Sequence, residues 1–142
     1  MDLPMKIWGP HYWFIIHTVA MNYPKIPGAT TKKKYYEFYQ QLPLFLPHKK
    51  AQKLFTKLLH KYPITPYLDS KESLVKWTHF IHNKVNIAFN KPTISYKTFY
   101  ETYHSQYIPK PIVKTNYRQW YKKMAYVFCI LIILFSIYLF IQ

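Results

Sequence analysis

The sequence predicts an all-α protein: a four-helix bundle with a short fifth helix, followed by a single C-terminal transmembrane helix. Apolar residues recur at the spacing of amphipathic helices, and prolines separate one such run from the next. No convincing strand-like run, with strict alternation of apolar and polar residues, is present. Residues 124–141 contain no charged side chain. We therefore expect the bundle at 1–107, a basic, proline-containing juxtamembrane connector at 108–123 and a membrane anchor at 124–141.

Prolines delimit the first two predicted helices. Pro10 suits the first turn of a helix, where its missing N–H costs nothing, and Pro24 ends the same helix. Between these prolines, several core-type residues recur at helical spacing: Trp13, Ile16, His17 and Ala20. Thr30 or Thr31 is expected to cap a second helix that ends toward Pro43.

Three further helices follow from similar signals. Pro47 opens a third helix, which ends at the proline-containing segment around Pro63. Asp69 and Glu72 have the spacing of a capping box at the start of a fourth helix. That helix carries an apolar stripe made of Leu74, Trp77, Ile81, Val85 and Phe89. Residues 95–106 form a short fifth helix.

The apolar segment 124–141 has the length of a membrane span. Its 18 residues would extend about 27 Å as a helix, close to the roughly 30 Å hydrocarbon thickness of a bilayer. A buried core helix is the alternative, but the rest of the chain is too short to enclose it. Basic and aromatic side chains precede the span, namely Arg118, Trp120, Tyr121, Lys122 and Lys123. This flank predicts a single-pass, tail-anchored protein with its folded domain on the cytoplasmic face of the membrane.

Composition excludes several kinds of chemistry. The chain has a formal charge of +15 and only five acidic residues, too few and too scattered for a general acid–base pair. Its two glycines, Gly9 and Gly28, form no phosphate-binding loop. His79 and His82 have the spacing of a metal-binding pair but lack a neighbouring third ligand, so we expect no metal. Cys129, the single cysteine, lies in the predicted span, which excludes a disulfide within the chain.

Two sequence blocks resemble one family. The first reads Trp-Gly-Pro-x-x-Trp from Trp8, with His17 four residues after the second tryptophan. The second reads His-Asn-x-Val-Asn from His82, preceded by Trp77. In combination these blocks resemble the Erv/ALR family of FAD-linked sulfhydryl oxidases, particularly the short forms of large DNA viruses. The resemblance implies FAD as a cofactor, bound in the mouth of the bundle by Trp8, His17, Trp77, His82, Asn83, Val85, Asn86 and Lys91. Core packing is the alternative role for the tryptophans and histidines among them.

The redox centre of the family is not kept. The resemblance places a Cys-x-x-Cys pair at the start of the third helix, where this sequence has His48 and Ala51. Leu54 stands where the family usually has a histidine. Only a thiolate has the nucleophilicity and reversible S–S chemistry that the family reaction requires. The sequence therefore predicts no catalytic residue for thiol oxidation in this chain.

The leading hypothesis is a redox-inactive pseudoenzyme anchored in a membrane. It would be a viral structural or scaffolding component, such as a minor capsid or membrane-linking protein between the virion inner membrane and the capsid. An FAD-linked thiol oxidase that uses thiols supplied by a partner is the alternative. A basic membrane tether for nucleic acid is a second alternative.

The basic surface favours acidic partners. Lysines cluster at 32–34, 49–53 and 57–61, on the second and third helices. Such patches attract nucleic acid, anionic lipid or acidic proteins. Because the anchor already localises the domain to a membrane, acidic proteins such as capsid components are expected rather than nucleic acid. By analogy with the family, the chain is also expected to form a homodimer.

Overall fold

The computed structural model describes residues 3–109 and 117–141, and in these residues it is entirely helical. The six α-helices are α1 (Met5–Met21), α2 (Ala29–Gln41), α3 (Lys49–Lys61), α4 (Lys71–Ala88), α5 (Tyr96–Ser105) and α6 (Tyr117–Ile141). Short 3-10 turns follow α2 and α3, at Leu42–Phe45 and Thr65–Tyr67. The all-α prediction is confirmed. The chain divides into two compact units, Met1–Ile108 and Pro109–Gln142.

The core of the first unit lies between α1 and α4, which pack extensively against each other, with α2 and α3 completing the bundle. Its largest fully buried side chains are aromatic and aliphatic, including Trp77, Tyr23 and Tyr39. Each of these aromatic polar groups has a backbone acceptor: the Tyr23 hydroxyl donates to Leu68 and the Trp77 indole N–H to Tyr62. Buried tyrosines and tryptophans therefore cross-link the helices without leaving unpaired polar atoms.

The first helix begins earlier than Pro10 predicted. It starts at Met5, after an extended Pro4, and Pro10 lies inside it. The added turn is held by the Trp8 indole N–H, which donates to the Leu3 carbonyl at 3.0 Å. Tertiary and capping contacts of this turn outweigh the hydrogen bond that Pro10 cannot make.

The starts of α2 and α3 also differ in detail from the prediction. Gly28 is the N-cap of α2, so Thr30 and Thr31 lie within its first turn and neither caps it. The α3 helix begins at Lys49 with His48 as its N-cap, one residue after Pro47. Neither N-cap donates or accepts a side-chain capping bond. Both starts are therefore set by packing rather than by side-chain caps.

The capping box predicted for α4 is wrong. Ser70 is the N-cap, and its hydroxyl accepts from the Ser73 backbone N–H at 3.2 Å. Asp69 instead forms an ion pair with Lys32 of α2 at 2.6 Å. Because α4 begins one residue later than a capping box from Asp69 requires, Ser70 occupies the cap and the Asp69 carboxylate points to Lys32 instead.

The second unit contains α6, whose 25 residues would extend about 37 Å. By length and composition α6 can cross a membrane, and none of its side chains is buried within the protein. The predicted span 124–141 lies inside this helix, which begins at Tyr117. Residues 110–116 of the predicted connector lie outside the described residues.

Candidate cofactor site

A cavity of about 410 Å³ opens in the first unit, and it is lined by α1, α4, α5 and the first two turns of α3. Its walls are mostly aromatic and aliphatic, with a few polar groups at defined positions. Six of the eight side chains predicted to hold a cofactor line it: Trp8, His17, His82, Val85, Asn86 and Lys91. A volume of this size and a largely apolar wall with a few polar groups are typical of small-molecule sites.

The centre of the wall is a histidine pair stacked on a tryptophan. His17 of α1 and His82 of α4 approach through Nε2 and Nδ1 at 3.0 Å. The His82 ring lies parallel to Trp13, with 3.9 Å between centroids and 9° between planes. His17 Nδ1 lies 3.3 Å from the Thr78 hydroxyl. Both imidazoles are therefore held in fixed orientations by hydrogen bonding and stacking.

The environment of this pair keeps both rings neutral. Burial lowers the pKa of His17 to about 3, and the charges of His82 and His79 act in the same direction. Burial also lowers the pKa of His82 to about 4, with further contributions from His79 and from Lys91. At neutral pH the wall therefore presents uncharged imidazoles, which suit contact with the face or edge of an aromatic ligand.

Lys91 is brought to the cavity by the way α4 ends. Asn90 has a positive φ of 54°, in the left-handed region that asparagine tolerates better than most residues. The Lys91 N–H then bonds back to the Asn86 carbonyl at 2.8 Å, and the Asn90 N–H to that of Ile87 at 3.1 Å. This pair of bonds is a Schellman motif. It turns the chain sharply and leaves an exposed cation at the edge of an apolar cavity.

Trp8 lies at the other edge and is half-buried. Its ring meets Tyr12 edge-to-face at 5.3 Å, and the Tyr12 hydroxyl donates to the Phe45 carbonyl at 2.6 Å. The turn after α2 thus supports the first turns of α1, which carry this aromatic edge.

Trp77 and Asn83, the other two predicted cofactor-binding residues, do not line the cavity. Trp77 is 1% exposed and packs edge-to-face on Tyr39 in the core. The Asn83 amide accepts from the Ile94 N–H and donates to the Ile94 carbonyl, both at 2.9 Å. Asn83 therefore clamps the segment before α5 onto α4, and Ile94 in that segment lines the cavity.

Sequence reasoning missed the wall contributed by α5. Its cavity residues are Thr98, Phe99, Thr102 and Tyr103. Phe99 meets the edge of His17 at 4.6 Å, and the Tyr103 hydroxyl donates to Thr18 of α1 at 3.0 Å. The available signal was the two pairs four residues apart, which place two threonines and two aromatics on one side of a short helix.

The first turn of α3 completes the site without supplying a reactive group. Ala51 is buried and lines the cavity, whereas His48 does not line it. His48 Nδ1 is buried without a hydrogen-bond partner. Cys129 lies in α6, in the other compact unit. No group of three or more potential metal ligands occurs in the residues that the structure describes.

Comparison with known proteins identifies the family. The model of the Erv1 / Alr family matches residues 10–104, more than half of the chain. The chain belongs to the Erv1/Alr family. This match runs from Pro10 of α1 into α5, so it includes cavity residues on α1, α3, α4 and α5, whereas Trp8 lies just before it.

Individual relatives and solved structures agree with this assignment. A probable FAD-linked sulfhydryl oxidase of Acanthamoeba polyphaga mimivirus is 38% identical over 104 residues, which are 72% of this chain and 73% of the relative. An FAD-linked sulfhydryl oxidase of African swine fever virus is 33% identical over 100 residues, 68% of this chain and 82% of the relative. The crystal structure of the yeast Erv1 core superimposes with a TM-score of 0.61 at 29% identity, covering 67% of this chain and 80% of that one.

The cavity fits the cofactor for which these relatives are named. Apolar and aromatic walls suit fused rings, and the exposed Lys91 at the edge suits a phosphate. An FAD site in this Erv1/Alr bundle is consistent with both the cavity and the family. The dithiol is different: Ala51 has no reactive group, and His48 cannot form a disulfide.

Proposed function

We propose that this chain is a membrane-anchored Erv1/Alr bundle that retains the FAD site but lacks thiol oxidase activity, and that it acts as a structural or scaffolding component of a virus particle. One observation carries the proposal. The cavity wall is complete on α1, α4 and α5, yet the residue that faces it from the first turn of α3 is alanine. The sequence therefore keeps the residues that would bind a cofactor but not the thiols that would react with it.

The cofactor would be held by the cavity residues already described. The stacked Trp13, His82 and His17 would contact its rings, Trp8 would cover one edge, and Lys91 would offset phosphate charge. Predicted direct roles of Trp77 and Asn83 are replaced in this proposal by support of the wall from behind. When bound, FAD supplies a two-electron acceptor.

The chain itself does not supply the electron donor for that acceptor. Oxidising a dithiol to a disulfide requires two sulfur atoms that approach each other, and the sequence contains one cysteine. The position of the lost pair is otherwise suitable. His48 and Ala51 are the N-cap and third residue of α3, where the helix N-terminus lowers the pKa of a thiol.

The basic surface of α3 supports a scaffolding role with an acidic protein partner. Four lysines recur every four residues along the helix, at Lys49, Lys53, Lys57 and Lys61. Each is exposed, and none forms an ion pair within the described residues. Like charges at this spacing repel one another, so the row is costly unless an acidic surface offsets it. A capsid component lying over a membrane-anchored domain would provide such a surface.

The remaining features of the proposal follow from α6 and the family. The helix would cross the virion inner membrane once, with the bundle on its cytoplasmic face, toward the capsid. The bundle would pair with a second copy, by analogy with the family.

The first experiment uses the full chain purified in detergent. We expect a stoichiometric flavin absorption band but no oxygen consumption above that of free FAD when dithiothreitol is added. The double variant His48→Cys/Ala51→Cys should then gain dithiol oxidation, with one disulfide and one hydrogen peroxide formed per oxygen consumed. Ala51→Cys alone is the matched control, because one thiol cannot close the disulfide.

Three results would contradict the proposal. A colourless, well-folded chain that takes up no added FAD would contradict the retained FAD site. Dithiol oxidation by the unmodified chain would contradict the absence of thiol oxidase activity, and Cys129→Ser would show whether its only thiol is responsible. Absence of the chain from purified virus particles would contradict the structural role. If that role is correct, we expect cross-links between the α3 lysines and an acidic capsid protein.

A thiol oxidase that works with thiols of another chain is the second candidate. It is favoured by the relatives, which are named FAD-linked sulfhydryl oxidases. In this case the flavin band of the unmodified chain would bleach without oxygen on addition of the partner's dithiol, and Ala51 would be the point of approach. A nucleic-acid tether would instead show steeply salt-dependent DNA binding that is lost when Lys49, Lys53 and Lys57 are changed to glutamine.

A further inference from the structure

Three hydrogen-bonded side chains form a series that begins behind the cavity wall and ends in it. It runs from the Thr78 hydroxyl to His17 Nδ1 at 3.3 Å, and from His17 Nε2 to His82 Nδ1 at 3.0 Å. Thr78 is 1% exposed and does not line the cavity, whereas both histidines do. The order of protons along this series determines what His82 offers to a ligand.

Thr78 determines which atom donates and which accepts at each hydrogen bond in this series. Its hydroxyl has one hydrogen and donates it to the Val75 carbonyl at 2.9 Å, closer than the 3.3 Å to His17 Nδ1. A hydroxyl that has used its hydrogen can only accept at its remaining contacts. His17 must therefore carry its proton on Nδ1 and donate it to Thr78.

The proton position on His17 in turn determines the proton position on His82. A neutral imidazole protonated on Nδ1 has a lone pair on Nε2, so His17 Nε2 accepts from the Nδ1–H of His82. His82 in turn has a lone pair on its own Nε2. That atom has no hydrogen-bond partner among the described residues. It is accessible, because His48 Nδ1 is the only side-chain nitrogen or oxygen in those residues that is both buried and without a partner.

We propose that Thr78 is a positioning residue that fixes the tautomers of His17 and His82, so that the cavity presents a hydrogen-bond acceptor and selects a ligand with an N–H donor at that point. The proposal deepens the proposed FAD site and rests on it for the identity of the ligand. FAD offers suitable donors in the amino group of its adenine and the ring N–H of its isoalloxazine.

The geometry around His82 makes this selection effective. Its ring is stacked on Trp13 at 3.9 Å, and turning it over in the same plane would put a carbon in place of Nδ1 and break the bond to His17. The low pKa values of the two histidines support uncharged rings, in which one nitrogen of each is an acceptor. With the opposite order of protons, the same nitrogen would be a donor and would face a ligand donor without forming a bond.

Histidine-selective nitrogen-15 NMR of the full chain in detergent micelles reads these protons directly. Without added FAD we expect His17 and His82 to be neutral, each protonated on Nδ1. Thr78→Val keeps the shape of the side chain but removes the acceptor for His17. In this variant we expect both histidines to shift their protons to Nε2, and the affinity for FAD to fall about tenfold, the size of one lost hydrogen bond.

Thr78→Ser is the matched control. It retains the hydroxyl, so it should keep the tautomers and the affinity of the unmodified chain, whereas a merely structural role of the threonine methyl group would make it behave like a packing defect. If Thr78→Val does not fold, the spectrum of the unmodified chain still decides the proton order.

Two results would overturn the inference. The first is a proton on Nε2 of either histidine in the unmodified chain. The second is a folded Thr78→Val variant whose tautomers remain unchanged. Neither result depends on FAD. Failure of the proposed function would look different: the histidines would have the expected tautomers, but the protein would take up no flavin.

Discussion

The α4 side of the cavity and the first turn of α3 meet at the same site but differ in how well their polar groups are satisfied. On α4, His82 and Asn83 each have defined hydrogen-bond partners, and Trp77 donates to a backbone carbonyl in the core. At the start of α3, His48 leaves a buried nitrogen unpaired and caps no backbone group. One region is a connected network, whereas the other is a loosely specified helix end.

If the function proposed above is correct, this difference would explain how the binding frame persists without its reaction centre. The α4 residues hold the fold together as well as lining or supporting the cavity, so replacing them would lower stability even in a chain that binds nothing. The side chains at positions 48 and 51 form no hydrogen bond, so neither connects the helices in this way. Under that proposal, substitutions on α4 would cost more stability than substitutions at the start of α3.

The largest expected effect is the combined loss of stability in acid when both buried histidines, His17 of α1 and His82 of α4, bind protons on unfolding. Because His17 and His82 have pKa values of about 3 and about 4 in the folded chain, against 6.5 ordinarily, the unfolded chain binds more protons below about pH 6.5. Stability should therefore fall as the pH decreases from about 6.5 toward 4. Linkage gives a loss on the order of 3 kcal/mol at pH 4 for either histidine alone. Thermal unfolding followed by circular dichroism at several pH values measures it.

The control for this prediction replaces one titrating ring. His82→Gln should be less stable than the unmodified chain at pH 7 but should lose less further stability between pH 7 and pH 4. His60→Gln, at an exposed position on α3, should leave the pH profile unchanged. A profile that is the same in all three chains would show that the histidine pair does not control acid stability.

A pair of tryptophan substitutions separates the fold from the site. Trp77→Ala should destabilise the bundle by about 3–5 kcal/mol, because it removes a 1% exposed indole and leaves a cavity in the core. Trp8→Ala, at the half-buried edge, should cost roughly 1–2 kcal/mol while weakening FAD binding directly. Urea unfolding and flavin titration on both variants distinguish the two roles. Equal effects on stability would contradict the placement of Trp8 at the edge.

The smallest expected effect is a gain at the start of α3. His48→Ser should stabilise the chain by about 1 kcal/mol, because serine caps the helix and the substitution removes a buried nitrogen without a partner. The matched change Ser70→Ala at the start of α4 should destabilise by a similar amount, since Ser70 already accepts from Ser73. A loss of stability in His48→Ser would mean that the imidazole has a packing role that outweighs its unpaired nitrogen.

Much of this architecture was predictable from local patterns. The helices were delimited by prolines and apolar spacing, and the two motif blocks together with Lys91 gave six side chains that do line one cavity. Helix starts were less predictable: at α4, Asp69 forms an ion pair with Lys32 of another helix, and Ser70 is the N-cap. The α5 wall was missed because its role depends on how Asn83 clamps the preceding segment, a contact that no local pattern displays.

The Asn83 clamp has a consequence for the order of folding. Asn83 and Ile94 are 11 residues apart, so the corner between α4 and α5 closes a short loop, whereas His17 and His82 must close one of 65 residues. Loop-closure entropy rises with the length of chain enclosed, so the corner can form early and the histidine pair only when α1 docks. The cavity is then the last part of the bundle to be assembled. Amide exchange should accordingly reveal an intermediate in which α4 and α5 are protected while α1 is still open.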